Sequence, residues 1–275
     1  SQRPFGRTIQ LEVIMRNDLT VSIITPSYNQ GTFLEDTINS VLNQDYPNIE
    51  YIVIDGGSTD ESLDIIKKYA EKLAYWESQP DKGQTDAINK GFARASGEIL
   101  AWLNSDDLLL PGAFSAAVNY LTANPNIGMV YGDAYFINKA GQKIGDFPAA
   151  KTDYQKLRRG YVHIPQQASF FRAALWMQVG PLDPSFYFAM DYDLWVRLAK
   201  ITNFAYVPGP WACFRLHGDA KTISEDDRCW PEMLRVHYRE GGRKLSVIVA
   251  KYWLRKLLAP IITWRRKKMI QAERQ

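Results

Sequence analysis

At 275 residues and 46% hydrophobic side chains, the chain can bury one large α/β core or two small ones. Its net charge of +3 joins two unlike parts: residues 241–275 hold ten Lys or Arg against one acid, Glu273, and the remainder is net acidic. An acidic body with a basic tail excludes a nucleic-acid partner, whose phosphates would need cations along a folded face, and no apolar run reaches the ~18 residues of a membrane span.

Residues 1–20 form an N-terminal arm with Arg3, Arg7 and Arg16 and no long apolar stretch, so a cytoplasmic protein without a signal peptide is expected. Val21–Thr25 is a β-branched apolar run ending at Pro26 and predicts a buried strand; from Gly31 the spacing of Leu34, Ile38, Val41 and Leu42 predicts a helix. Tyr51–Ile54 predicts a second strand, ending at Asp55-Gly-Gly-Ser58. Ser58 and Glu61 have capping-box spacing at the head of a helix through about Tyr69. Leu73–Trp76 and Ile99–Leu103 predict two further strands, with a helix over Thr85–Ala95 between them and another from Pro111. Beyond it, Met129–Ile137 and Ser169–Phe171 read as strands and Leu194–Ala199 as a helix. Tyr206–Val207 and Ala212–Leu216 read as separate strands divided by Pro208 and Pro210.

Strands alternating with helices imply βαβ units around a mostly parallel sheet, with any ligand beyond the carboxyl ends of the strands. A soft boundary falls near 128, within one continuous sheet. Three polar clusters end predicted strands: Thr25-Pro-Ser-Tyr-Asn29, Asp55–Ser58 and Asn104-Ser-Asp-Asp107. Each has two readings. Asp106 and Asp107, adjacent carboxylates, suit a hard cation such as Mg²⁺ or Mn²⁺, or else cap a turn before Pro111. Asp55 accepts from a nucleotide, or Ser58 simply caps a helix. Tyr28 stacks on a base or packs. Cys213 and Cys229 lack metal-type spacing and are expected as two thiols.

In combination the clusters are more specific. VSIITPSYNQGTFLEDTINSVLNQDYPNIEYIVIDGGSTDES followed by DKGQTDAINKGFARASGEILAWLNSDDLLLPGA resembles the family 2 glycosyltransferases of GT-A fold. The likeness is almost unbroken from about Val21 to Ala113 and weaker to about Ser224. It implies a Rossmann-like nucleotide-binding α/β fold with a mostly parallel central sheet, ending here in a basic helical tail. Residues 21–128 would bind the nucleotide sugar, 129–225 the acceptor and the catalytic base, and 226–275 would form the tail.

The resemblance implies roles residue by residue. Thr25, Pro26, Tyr28 and Asn29 would line the nucleotide pocket, Asp55 would hold the uracil or ribose, and Lys82, Gln84 and Asp86 would lie beside the base and donor sugar. Asp106 and Asp107 occupy the family's Asp-x-Asp region, where Asn104 stands in place of the first acid, and Asn104, Ser105 and Asp106 would contact the nucleotide sugar. Mn²⁺ or Mg²⁺ would then fall to Asp106 and Asp107, with His217 near the metal or diphosphate. Phe188-Ala-Met-Asp191-Tyr-Asp-Leu-Trp195 resembles the Glu-Asp-x-Asp-Leu-Trp segment that carries the base: Asp191 is kept, and Met190 replaces the first acid. Gln166–Arg172 resembles an acceptor-side segment whose Phe pair is expected in the core. Arg215 and Lys221 are candidates to neutralise phosphate.

The implied activity is inverting, metal-assisted transfer from a nucleotide sugar, a UDP-sugar first, to a saccharide or lipid-linked hydroxyl. A sugar-nucleotide pyrophosphorylase would carry a Gly-rich, Arg-containing loop where this chain has Thr25–Asn29. An inactive sugar-binding or scaffolding homologue is the other alternative, raised by Met190 and Asn104. The tail pattern, with Lys244, Lys251 and Arg255 on one stripe, Trp253 at an apolar edge and Arg265–Lys268 beyond Pro260, suits an anionic membrane surface or, instead, packing on the domain or in an oligomer.

Overall fold

The computed structural model describes residues 19–147, 149–218 and 229–258. Expectations placed on the N-terminal arm, on Lys221 and on Arg265–Lys268 lie outside them. The first half alternates as the hydrophobic pattern requires: β1 (Val21–Ser27), α1 (Gly31–Leu42), β2 (Ile49–Asp55), α2 (Ser62–Tyr69), β3 (Tyr75–Ser78), α3 (Gln84–Arg94) and β4 (Ile99–Trp102). These strands lie parallel in the order β3-β2-β1-β4. Both faces are covered, which is why the strands read as unbroken apolar runs. Val21 and Ile23 meet Leu34, Ile38 and Val41 of α1 on one face, and Ile24 meets Ile88 and Phe92 of α3 on the other. A Cβ at Gly91 would stand 2.5 Å from Ile24, so only glycine lets α3 lie this close to β1.

The second half contributes β5 (Leu108–Leu109), α4 (Ala113–Ala123), β6 (Ile127–Ile137), β7 (Lys143–Phe147), α5 (Tyr154–Leu157), β8 (Ser169–Arg172), α6 (Ala173–Val179), α7 (Met190–Ala199), β9 (Asn203–Arg215) and α8 (Cys229–Arg239). A last helix, α9, covers residues 247–258. The sheet runs on as β8-β6-β9-β5, with β7 against β6, so the boundary near 128 falls inside one sheet. Antiparallel β8 joins β4 to β6, and β9 lies parallel to β6 along most of its length. Phe170 and Phe171 are core residues, as expected, and both cysteines are thiols.

Two local expectations are corrected. The prolines do not divide β9: Pro208 and Pro210 fall where its register against β6 shifts, between Tyr131 and Asp133. There the Gly209 N–H donates to Asp133 Oδ2 at 2.8 Å, so a bulge absorbs what two prolines remove from the ladder. Ser58 does not cap α2, which begins four residues later, after Glu61. Its hydroxyl donates instead to the buried carboxylate of Asp55 at 2.5 Å, and its oxygen accepts from Asn29 N at 2.8 Å rather than from an amide of the helix.

The tail also packs on the body. Val236 of α8 enters the core around Trp195, while Ile248 and Val249 of α9 bury against Leu234. Lys244 precedes α9 rather than extending its stripe.

Candidate active site

Register aligns the strand ends: Ser27 is paired with Asp55, and Asp55 with Ser78. Asp55 is fully buried there, and its carboxylate accepts from Gly57 N, Ser58 N and the hydroxyls of Ser58 and Ser78. Gly57, at φ +81°, supplies the left-handed turn that folds these amides back. The next loop over is tied in by Asn29, whose N–H donates to Ser58 Oγ and whose Oδ1 accepts from Thr59 N, each at 2.8 Å. Tyr28 is 61% exposed at the rim and does not pack. Thr25 and Pro26 do not line a surface: both are buried in β1, where the Thr25 hydroxyl bonds that of Tyr51. Beside them Ser27 Oγ is buried without a partner.

The loop after β3 closes over this point. Asp86 accepts from the Lys82 N–H and pairs with Lys90 at 3.1 Å, which holds its carboxyl below the usual range against the effect of burial. Asp81, which no motif reading singled out, sits against Gly56; burial, with Asp86 and Asp55 nearby, raises its pKa. Gln84 reaches across to β4 and donates to Asn104 Oδ1 at 2.6 Å.

β5 pairs with β9 directly after Asp107, and this brings Asn104–Asp107 against Arg215 and His217, more than a hundred residues on. Asp106 Oδ2 and His217 Nε2 are 3.0 Å apart, with the imidazole resting on the Phe33 ring. Ser105 is buried, and its carbonyl accepts from Thr37. Asp107 is turned away from the Asp106–His217 pair: it is buried, Oδ1 accepts from Arg215 N at 2.9 Å, and burial beside Asp106 raises its pKa well above the ordinary value. Among the described residues, no three acids, histidines or cysteines gather as a ligand cluster. The residues present nonetheless fit a divalent cation. Asp106 Oδ2 and His217 Nε2, hydrogen-bonded at 3.0 Å, are one oxygen and one nitrogen donor close enough to share such an ion. The Arg215 guanidinium donates from Nε and Nη1 to the carbonyls of Asp106 and Lys139, while its buried Nη2, without a hydrogen-bond partner, lies 3.6 Å from Asp36.

Asp191 opens α7. That helix is pinned to the sheet by Trp195, stacked on Trp102 at 5.5 Å, and to α3 by the Thr85 hydroxyl donating to Met190 Sδ. Thr85 follows Gln84, so a short chain of contacts runs from the start of α7 to Asn104. Burial pushes Asp191 up to about 6, opposed by the Tyr192 N–H and assisted by the charge of Glu232. Asp193, two residues on, is wholly buried and paired with Arg197 and Arg239, a structural position. Gln166 donates to Trp102 O at 2.7 Å, close to the β4 end. Glu232, on α8, escaped sequence reading because no motif surrounds it.

The "Glycosyl transferase family 2" model matches residues 22–177, ending before Asp191 and His217. An uncharacterized glycosyltransferase of Mycobacterium tuberculosis (strain CDC 1551 / Oshkosh) is 35% identical over 235 residues, 82% of this chain and 88% of the relative. Among solved structures, S. aureus TarS in complex with UDP-GlcNAc superposes with a TM-score of 0.65 at 17% identity, over 88% of this chain and 73% of TarS. Mannosyltransferase PcManGT from Pyrobaculum calidifontis, in complex with GDP-Man and Mn²⁺, gives 0.60 at 20% identity, over 79% and 64%. The fold is that of these GT-A enzymes, and the chain belongs to glycosyl transferase family 2.

Proposed function

We propose that the protein transfers a sugar from a nucleoside diphosphate sugar to a hydroxyl of a saccharide or lipid-linked acceptor, by direct displacement with inversion. The observation that carries this reading is the link Met190–Thr85–Gln84–Asn104, which ties a carboxyl poised near neutrality to the loop bearing Asp106. Asp191 takes the proton from the attacking hydroxyl. Tyr28 offers a face for the base at the pocket rim, and the loops held by Asp55 and Asn29 shape its floor. Lys82, Gln84 and Asp86 border the donor sugar. A divalent cation held by Asp106 and His217 would offset the charge of the departing diphosphate. The ligands named for TarS and PcManGT support a nucleotide-sugar donor, with uracil or guanine as the base. Calorimetry with UDP-, GDP- and dTDP-sugars in Mn²⁺ tests the reading: saturable binding of at least one is expected, and binding of none would refute it. Conversion of a sugar 1-phosphate and nucleoside triphosphate to nucleotide sugar would instead indicate a pyrophosphorylase.

A pH dependence follows. Asp191 accepts a proton only when ionised, so turnover should rise with pH through about 6 and level off above it. The limb should vanish in Asp191→Asn, as read from a rate profile between about pH 5 and 8.

The tail supports peripheral attachment to anionic lipid. No helix among the described residues is long and apolar enough to cross a membrane. One side of α9 is docked through Ile248 and Val249, but Trp253, Leu254 and Leu257 are 54, 57 and 77% exposed, with Lys251 and Lys256 on the same helix. Apolar side chains among cations suit the headgroup boundary, each cation adding ~1 kcal/mol near the surface. Co-sedimentation with anionic vesicles at low salt should be strong for the unaltered chain and lost in Leu254→Glu/Leu257→Glu. Equal sedimentation of both would refute attachment through α9.

A further inference from the structure

α7 begins without help from its own sequence. Its N-cap is Ala189, which has no side-chain acceptor, and Met190 follows where the resembling motif has an acid. A helix entry of this kind leaves backbone N–H groups without partners. Just ahead of it, the three amides that lead into the helix converge on one carboxylate from another helix: Tyr187 N donates to Glu232 Oε1 at 2.9 Å, and Phe188 N and Ala189 N donate to Oε2, each at 2.8 Å. Such bonds to an ionised acceptor are among the stronger ones a protein makes.

The rest of α8 braces the same segment. Arg235 donates to Ser185 Oγ and lies over the Phe186 ring at 3.5 Å; Arg239 pairs with Asp193; Val236 is buried among the residues around Trp195. The thiol of Cys229, at the head of α8, is pushed up to about 12 by burial and by the charges of Asp191 and Glu232, so it stays neutral beside them.

We propose that Glu232 is a positioning residue for Asp191: by gathering the three amides that lead into α7, it fixes where the helix starts and where the base points. This rests on Asp191 being the base. Asp191 lies two residues past the last amide that Glu232 holds, so any shift of the entry is passed to its carboxyl. A misplacement of about 1 Å costs an enzyme roughly 10²-fold in rate. Glu232 also places a second negative charge near Asp191, which favours the protonated base. The arrangement lies outside residues 22–177, the stretch matched by the family model.

The test is a double-mutant cycle on the full chain, read by nucleoside diphosphate release with Mn²⁺. Glu232→Gln keeps the shape but turns an NH₂ toward an amide N–H, so one of the three bonds is lost. It should lower kcat roughly tenfold or more with little change in donor KM, and move the acid limb to lower pH because a charge has gone. Glu232→Asp keeps the charge but is one methylene short; kcat should fall while the limb stays near its original position. In an Asp191→Asn background neither variant should lower the residual rate further. Unchanged kcat in both variants would overturn the proposal, as would an equal loss in the Asp191→Asn background, which would make Glu232 a general packing residue. Should Glu232→Gln fail to fold, Glu232→Asp and its cycle decide the same question. Full turnover of Asp191→Asn alone is a separate result: it removes the base assignment, and the positioning role with it.

Discussion

Asp191→Asn is expected to reduce turnover by about 10²-fold or more while donor binding stays near normal, the range for loss of a general base. The side chain stands at the start of α7, where Asn fits without a change of shape, and its bond from Tyr192 N is kept by the amide oxygen. Folding should not suffer. Burial raises the Asp191 pKa from 3.8 to about 6, so the native state favours the protonated carboxyl. Whatever stability that contributes is fully present below the ordinary carboxylate pKa and lost as pH rises through about 6. At neutral pH the native carboxylate is therefore a burden, and Asp191→Asn should melt no lower than the unaltered protein there. A large loss of turnover with an unchanged or raised melting temperature identifies a chemical role; near-normal turnover removes Asp191 from the mechanism.

The second large effect concerns the cation. Asp106→Ala and His217→Ala should each weaken nucleoside diphosphate binding and abolish its response to added Mn²⁺ or Mg²⁺. A cation held there would supply several kcal/mol of stabilisation to a leaving diphosphate, so turnover should fall by about 10²-fold or more. Asp107→Asn is the contrast. Its carboxyl is engaged with Arg215 N and Asn104 inside the fold, so the variant should keep its dependence on Mn²⁺. Equal binding and turnover of the unaltered protein in EDTA would refute the cation.

Much of the first half was legible because each apolar run stops at a polar cluster, and a parallel sheet covered on both faces forces those stops onto one edge. Val21–Ser27, Ile49–Asp55 and Ile99–Trp102 are such runs. What local pattern could not show is competition at a distance. Ser58 has the spacing of a cap, but Asp55 orients its hydroxyl and its oxygen accepts from Asn29 N, 29 residues away in sequence, rather than from the helix. Pro208 and Pro210 look like the end of a strand until β6 offers Asp133 as a side-chain acceptor for the bulge between them. Asp107 looks equivalent to Asp106, and only the pairing of β5 with β9 turns one inward and leaves the other to His217. Arg215 resembles a phosphate ligand by charge alone, and the bonds of its Nε and Nη1 to two loop carbonyls leave no mark in local sequence. Glu232 was beyond reach because its three partners lie more than forty residues upstream and are backbone amides, which leave no mark in sequence.

The most direct measurement is release of nucleoside diphosphate from UDP-, GDP- and dTDP-sugars by the full chain with Mn²⁺, repeated in EDTA and with Asp191→Asn. Cleavage of at least one donor is expected, lost in EDTA and reduced by about 10²-fold in the variant. Cleavage of none, or cleavage indifferent to both EDTA and Asp191→Asn, would contradict the proposed transfer.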